Sequence, residues 1–280
     1  MYIWYRILAK YYATHDWTEC MRVSSVFMPF FALIAGAAGF YLRLVELWNV
    51  FDRRTGLPER GAGVTLILII LTVAFLLIAL MFSIRVRVRY ASPRGFENAF
   101  GTDPLTYPFA FCVIGLVWLG ATVKYFLDLN AARWVLSGEL YFSVLSALAA
   151  ISVGFFAVEM YQDPRRKMIF ALSLVPTLFM CFWLIMLYKQ NASNPVLLSY
   201  CYQCLAIIAS ALGFYFTSGF VYNKPSPSIT IFIYFTAIYF CFVTLADDHT
   251  TPVKLIFAAI IALNVTYSSM LIRNLRLRKA

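Results

Sequence analysis

Residues 63–84 read GVTLILIILTVAFLLIALMFSI, 22 consecutive residues without a charge, followed at once by Arg85-Val-Arg-Val-Arg89. As a helix this run is about 33 Å long, which matches the hydrocarbon thickness of a bilayer. Its apolar residues do not alternate with polar ones, as they would in a half-buried strand, so the periodicity favours a helix. Lipid offers no partner to backbone N–H and C=O groups, and only helices or a closed barrel satisfy them internally.

Seven further stretches repeat the pattern. Together they predict spans at Val23–Leu44, Gly63–Ile84, Thr106–Phe126, Leu140–Met160, Met168–Tyr188, Val196–Tyr222, Ser228–Ala246 and Val253–Ile272. The 280-residue chain is 62% hydrophobic and only 13% charged, against about 45–50% and about 25% in soluble domains. Its mean hydropathy is +0.77. The fold class is therefore all-α: a polytopic integral membrane bundle of about eight transmembrane helices, one domain over residues 23–272. The longest polar connection, from Arg85 to about Leu105, is too short to fold as a separate domain.

Residues 1–22 are too polar for a cleavable leader. Ile3, Trp4, Ile7, Leu8, Tyr11 and Tyr12 fall at helical spacing, with Arg6, Lys10 and Asp16 at or beyond the edges of that face. This pattern suits an amphipathic segment lying in the headgroup layer. A frayed, tyrosine-rich leader is the alternative. At the other end, residues 273–280 form a basic tail.

With eight spans both termini share one side. That side collects 15 of the 23 basic residues, in groups around Arg6, Arg22, Arg85–Arg94, Arg165–Lys167, Lys224 and Arg273–Lys279. Basic loops stay on the side of synthesis, so both termini are expected to be cytoplasmic. The net charge of +10 is then a signature of topology. No basic patch sits on a folded domain that would grip nucleic acid. Arg85, Arg87, Arg89, Arg276, Arg278 and Lys279 abut helix ends. Each can hold anionic headgroups at about 1 kcal/mol per charge, or serve only to fix topology.

Ionisable groups at membrane depth are functional candidates, because burying them unpaired costs several kcal/mol. No such group falls at the centre of a span. Arg43 and Glu46 are three residues apart, share a helix face and can neutralise each other, with long side chains snorkelling to the outer interface. The absence of central charges argues against ion-coupled transport. Asp247-Asp248-His249 is a compact outer cluster of possible metal ligands, read here as a solvated turn. No metal centre and no cofactor motif is legible, nor is a nucleophile–base pair that would mark an enzyme.

Uncharged polar groups are better placed. Gln203 in span six, Asn264 and Ser268 on one face of span eight, and the mid-span Pro176 mark a solute path or helix contacts. Cys201-Tyr-Gln-Cys204 has the spacing of a redox dithiol, yet it is read as starting several residues inside a long helix, where cysteine is an ordinary apolar filler. Gly36-Ala-Ala-Gly39 forms a smooth patch for close helix approach, either internal or across a homodimer. Pro29 and Pro108 are expected near helix starts. Tyr107, Phe109, Tyr141, Phe142, Tyr188, Tyr200, Tyr202, Tyr222 and Tyr267 suggest an interfacial aromatic belt.

Gly36-Ala-Ala-Gly39-Phe-Tyr-Leu-Arg43, followed by Phe51-Asp52 and Thr55-Gly56-Leu57-Pro58, resembles the opening of multi-helix membrane proteins of gut Firmicutes. The likeness covers about the first 85 residues. It implies a bacterial plasma membrane, an outer loop at residues 51–59, and no particular activity.

Three functions fit these features. The first is a non-enzymatic subunit, sensor or regulator acting through another membrane protein. The second is a passive or substrate-binding transporter for a small apolar or aromatic solute, and the third an intramembrane thiol or lipid enzyme.

Overall fold

In the computed structural model, the charge-free run at residues 63–84 is the body of α2 (Gly63–Arg89). The structure describes residues 2–51, 63–93, 95–101, 105–131, 137–162, 168–193 and 196–277, with side chains placed over 25–51, 63–93, 95–96, 98–101, 105–131, 138–156, 171–193 and 196–275. Around α2 the chain runs through α1 (Tyr2–Asn49), β1 (Tyr90–Ala91), α3 (Phe96–Phe100), α4 (Thr106–Ala131), α5 (Ser137–Gln162) and α6 (Met168–Asn191). It continues through a 3-10 turn (Leu197–Ser199), α7 (Cys201–Val221), α8 (Pro227–Thr244), α9 (Thr251–Arg273) and β2 (Arg276–Leu277). Eight of these helices are long and apolar enough to cross a membrane. The protein is an all-α polytopic bundle.

Three local expectations change. Residues 2–22 are not set off from the first span but continue into it as one helix, so Pro29 lies inside α1 and not near a helix start. The sixth span does not begin at Val196: the 3-10 turn comes first, and Cys201 is the first residue of α7. The polar connection after α2 folds back onto the bundle, where β1 and β2 pair antiparallel, Tyr90 with Leu277 and Ala91 with Arg276. That ladder ties the end of α2 to the chain beyond α9.

Helices α4 to α9 pack in sequence, each on the next, and α9 returns to α4. The six form a closed ring. Helix α1 lies outside it against α8 and α9, and α2 outside again against α8 and α1. The ring is filled by aromatic side chains. Trp118 meets Phe179 and Phe214, and Phe179 meets Phe142 and Trp183, which lies tilted on Phe257 with ring centres 4.7 Å apart. Nearer the termini, Tyr267 packs on Phe111, Tyr234 and Phe100. Phe96 and Phe100, both from the five-residue α3, close that end against Phe156 and Phe220. Asn274 caps the contact by donating to the carbonyls of Ala99 and Gly101.

The small-residue patch on α1 is an internal face. A Cβ at Gly36 would fall 2.8 Å from Cβ of Phe242, and one at Gly39 only 2.7 Å from Cγ2 of Val243. Bare backbone is what lets α1 lie this close to α8. Of the aromatics expected in an interfacial belt, Phe109, Tyr141, Tyr188 and Tyr222 are exposed, whereas Phe142, Tyr202 and Tyr267 are buried in the core.

Candidate functional site

The largest departure from expectation is at the C-terminal end of α1. Arg43 and Glu46 do not snorkel: both are completely buried. Their three-residue spacing brings Arg43 Nη1 to 2.7 Å from Glu46 Oε2. A second carboxylate arrives from the far end of the chain. Helix α8 stops at Thr244, and a tight turn follows in which Asp247 N–H bonds to Thr244 C=O and His249 N–H to Asp247 C=O. That turn lowers Asp247 onto Arg43, whose Nε donates to Oδ1 at 2.9 Å. Asp247 is buried as well, so the 247–249 segment is not simply the solvated turn expected of it.

The remaining valences are filled by neighbours. Arg43 Nη2 donates to the carbonyl of Leu198 in the 3-10 turn. Thr65, in the first turn of α2, donates to Glu46 Oε1 at 2.6 Å, and Thr244 donates to Asp247 Oδ2 at 3.0 Å. All four carboxylate oxygens therefore accept a hydrogen bond. The guanidinium carbon sits 4.9 Å from the ring centre of Tyr202 and 5.7 Å from that of Phe51, where the ring faces favour a cation. One buried cation thus holds two buried anions, and α1, α2, α7 and the α8–α9 turn converge on it.

His249 extends the chain of contacts. Its Nε2 lies 3.3 Å from Thr244 Oγ1. The hydroxyl has one hydrogen and gives it to Asp247, so Nε2 must carry the hydrogen of the neutral imidazole. The ring is half-buried, 5.7 Å from Phe257. Burial pushes its pKa below the ordinary 6.5, with Asp247 and Asp248 pulling upward and Lys254 downward. A hollow of about 400 Å³ opens beside the cluster, bordered by Trp48, Asp247, Asp248 and Lys254.

With every carboxylate oxygen engaged, this is the geometry of a clasp and not of a general base. Among the described residues, no three His, Cys, Asp or Glu side chains stand close enough to hold a metal ion.

The other sequence candidates are scattered. Asn264 and Ser268 are buried in the ring, and each bonds a carbonyl of its own helix, Asn264 to Ile260 and Ser268 to Val265. Among the described residues Asn264 Oδ1 has no hydrogen-bond partner; it faces Gly213 of α7, where an added Cβ would lie 3.2 Å away. Gln203 is half-buried near the start of α7. It is two residues into its helix and Asn264 thirteen into a neighbour starting on the same side, a difference in depth of about 16 Å. Pro176 is on α6, which packs chiefly on α5 and α7 and meets α9 through Trp183 on Phe257. Cys201 and Cys204 are half-buried free thiols, with Cys201 Sγ 3.8 Å from the carbonyl of Leu198. They open α7, where the sequence placed them inside a helix.

Arg85, Arg87 and Arg89 are exposed at the end of α2. The backbone of Arg276 belongs to β2, and Arg278 and Lys279 lie outside the described residues. Buried hydroxyl pairs escaped the sequence reading: Trp118 Nε1 and Thr122 both bond Ser146, and Thr217 bonds Tyr234 at 2.5 Å. Serines and threonines at helical spacing in apolar runs carry no signal that distinguishes such pairs from carbonyl-bonded ones.

Neither a family model nor a curated protein nor a solved structure matches this chain.

Proposed function

We propose that this membrane protein works as a non-enzymatic subunit, sensor or regulator that acts by binding a partner protein. The observation that carries this reading is how the ring interior is used. Trp118, Phe179, Phe214, Phe257 and Tyr267 fill it, and Phe100 and Trp183 stand toward its two ends. The charged cluster near the surface is spent on holding helices together. What the bundle offers to other molecules is its outside. Native mass spectrometry of the protein released from its own membranes tests this. A stoichiometric protein partner is expected; a lone chain carrying a reproducible small-molecule mass would refute it.

One observation favours a second reading, passage or binding of a small apolar or aromatic solute: the unpartnered Asn264 Oδ1 inside the ring. That reading requires a solute whose stabilising effect on the protein disappears in Asn264→Leu. We further propose cytoplasmic termini, on the strength of the arginine and lysine distribution, and a plasma-membrane location, which the resemblance of about the first 85 residues implies. Thiol labelling of single cysteines introduced beyond Leu275 and in the 250–251 segment of intact cells tests it; reactivity at the C-terminal site from outside would reverse the orientation.

A further inference from the structure

The terminus-bearing end of the bundle holds a cleft of about 1250 Å³ between the last turns of α2, β1 and the α7–α8 turn. Two reciprocal hydrogen bonds stitch α2 to α8 just before it opens, Ser83 Oγ to the carbonyl of Ser228 and Ser228 Oγ to that of Ser83, each 2.8 Å. Beyond that stitch the lining changes character. Arg87 lines one wall; it is exposed and makes no hydrogen bond or ion pair among the described residues. Asn223, held in the left-handed region at φ 56°, and Ser226 line the other. Among the described residues, no acidic side chain lines the cleft.

Its depth is set by the sequence. The apolar run of α2 ends at Ile84 and that of α8 starts just after Ser228, so the cleft lies where hydrocarbon gives way to headgroups. At its mouth Val88 is 67% exposed and Ile229 47%. A cationic, donor-lined hollow with an apolar lip at that depth complements one kind of molecule: an anionic phospholipid, phosphate inward and acyl chains along the exposed face of α2.

We propose that this cleft is a binding site for the headgroup of an anionic phospholipid, with Arg87 as the phosphate-binding residue. The three arginines of the 85–89 segment are then not equivalent. Arg87 lines the cleft and Arg85 does not.

The test is native mass spectrometry of the full chain, reconstituted in nanodiscs of equal phosphatidylglycerol and phosphatidylcholine. The wild type should leave the bilayer with phosphatidylglycerol bound in preference. Arg87→Gln and Val88→Glu should each weaken retention about tenfold, while Arg85→Gln should leave it unchanged. All three sites are exposed, and matching melting curves establish that the variants are folded. Millimolar inorganic phosphate should not displace the lipid. Displacement would make the occupant a soluble phosphate and overturn the lipid assignment. Equal losses in Arg85→Gln and Arg87→Gln would reduce the effect to diffuse surface charge, and unchanged retention in Arg87→Gln would remove the site.

Discussion

Replacing Arg43 by Met keeps most of the apolar stem and removes the one cation from a buried cluster of three charges. Glu46 Oε2 and Asp247 Oδ1 then lose their partners at 2.7 and 2.9 Å and are left as buried carboxylates without a counter-charge. Breaking a buried pair from one side costs about 3–5 kcal/mol, because the remaining charge is stranded. Here two are stranded, so the upper end of that range applies. At about 2–4 °C per kcal/mol for a chain of this order, the melting temperature should fall by roughly 10–20 °C. Arg43→Lys keeps the charge, but a single ammonium cannot reach Glu46, Asp247 and the Leu198 carbonyl as the planar fork does. It should lose about 1.5–3 kcal/mol, the worth of a hydrogen bond to a charged group.

The decisive variant is the triple substitution Arg43→Met, Glu46→Gln, Asp247→Asn. It removes the cation and both anions together, so it should recover most of the loss and lie within about 1–2 kcal/mol of wild type. The assay is reversible unfolding in mixed micelles followed by tryptophan fluorescence, with all four proteins in one detergent. If Arg43→Met shifts stability by under about 0.5 kcal/mol, or if the triple variant is as unstable as the single one, the cluster is not the clasp described here.

Other variants probe the same structure elsewhere. Gly36→Val should cost about 1–3 kcal/mol by driving α1 off Phe242, while Gly120→Ala, with nothing within 4 Å of its added carbon, should melt within error of wild type. Phe179→Ala should cost about 3–5 kcal/mol, since that fully buried ring touches Trp118, Phe142 and Trp183. For His249, held below its ordinary 6.5 by burial, the folded chain binds fewer protons than the unfolded one in the window beneath that value. Stability should therefore rise with pH through this window, by no more than about 1.4 kcal/mol per pH unit for one proton. Melting temperatures of His249→Gln between pH 5 and 7.5 should lack that slope; an identical slope in the variant would clear His249 of the effect.

The eight spans were legible because hydrocarbon thickness and backbone chemistry dictate them, and an uncharged run of 22 residues has few other fates. What could not be read was whatever depends on two distant segments meeting. Helix α3 is five residues of an unremarkable polar connection, and only the ring it caps makes Phe96 and Phe100 buried. Tyr202 and Tyr267 carry the composition of an interfacial belt, and which way each ring turns is set by the neighbouring helix. The start of α7 was misplaced because the 3-10 turn at Leu197–Ser199 is as apolar as a helix. The candidate site was half legible: the spacing of Arg43 and Glu46 announced a pair, while Asp247 lies 204 residues away along the chain. The available clue was that the order of the spans puts both segments at the same end of the bundle, where a charge inside a span needs a counter-charge.

The small-residue patch and the charged cluster, read separately from sequence, belong to one device. Gly36, Gly39, Arg43 and Glu46 recur at alternating intervals of three and four residues, which places them on a single face of α1. Ser25, Ala32 and Val50 extend the same buried stripe. The first two positions have no side chain, so α1 and α8 meet with Phe242 and Val243 filling the glycine notches. Helix α8 ends one residue later, at Thr244, and Asp247 follows in the turn beyond it. Arg43 lies one helical turn beyond Gly39, and so meets Asp247 only because the glycines fix how near the two helices lie. A larger side chain in either notch would therefore do more than strain the packing. It would draw the guanidinium away from Asp247 and leave that carboxylate stranded, so substitutions at Gly39 and Asp247 should not add. A double-mutant cycle between Gly39→Val and Asp247→Asn that closes to zero coupling would separate the two features again.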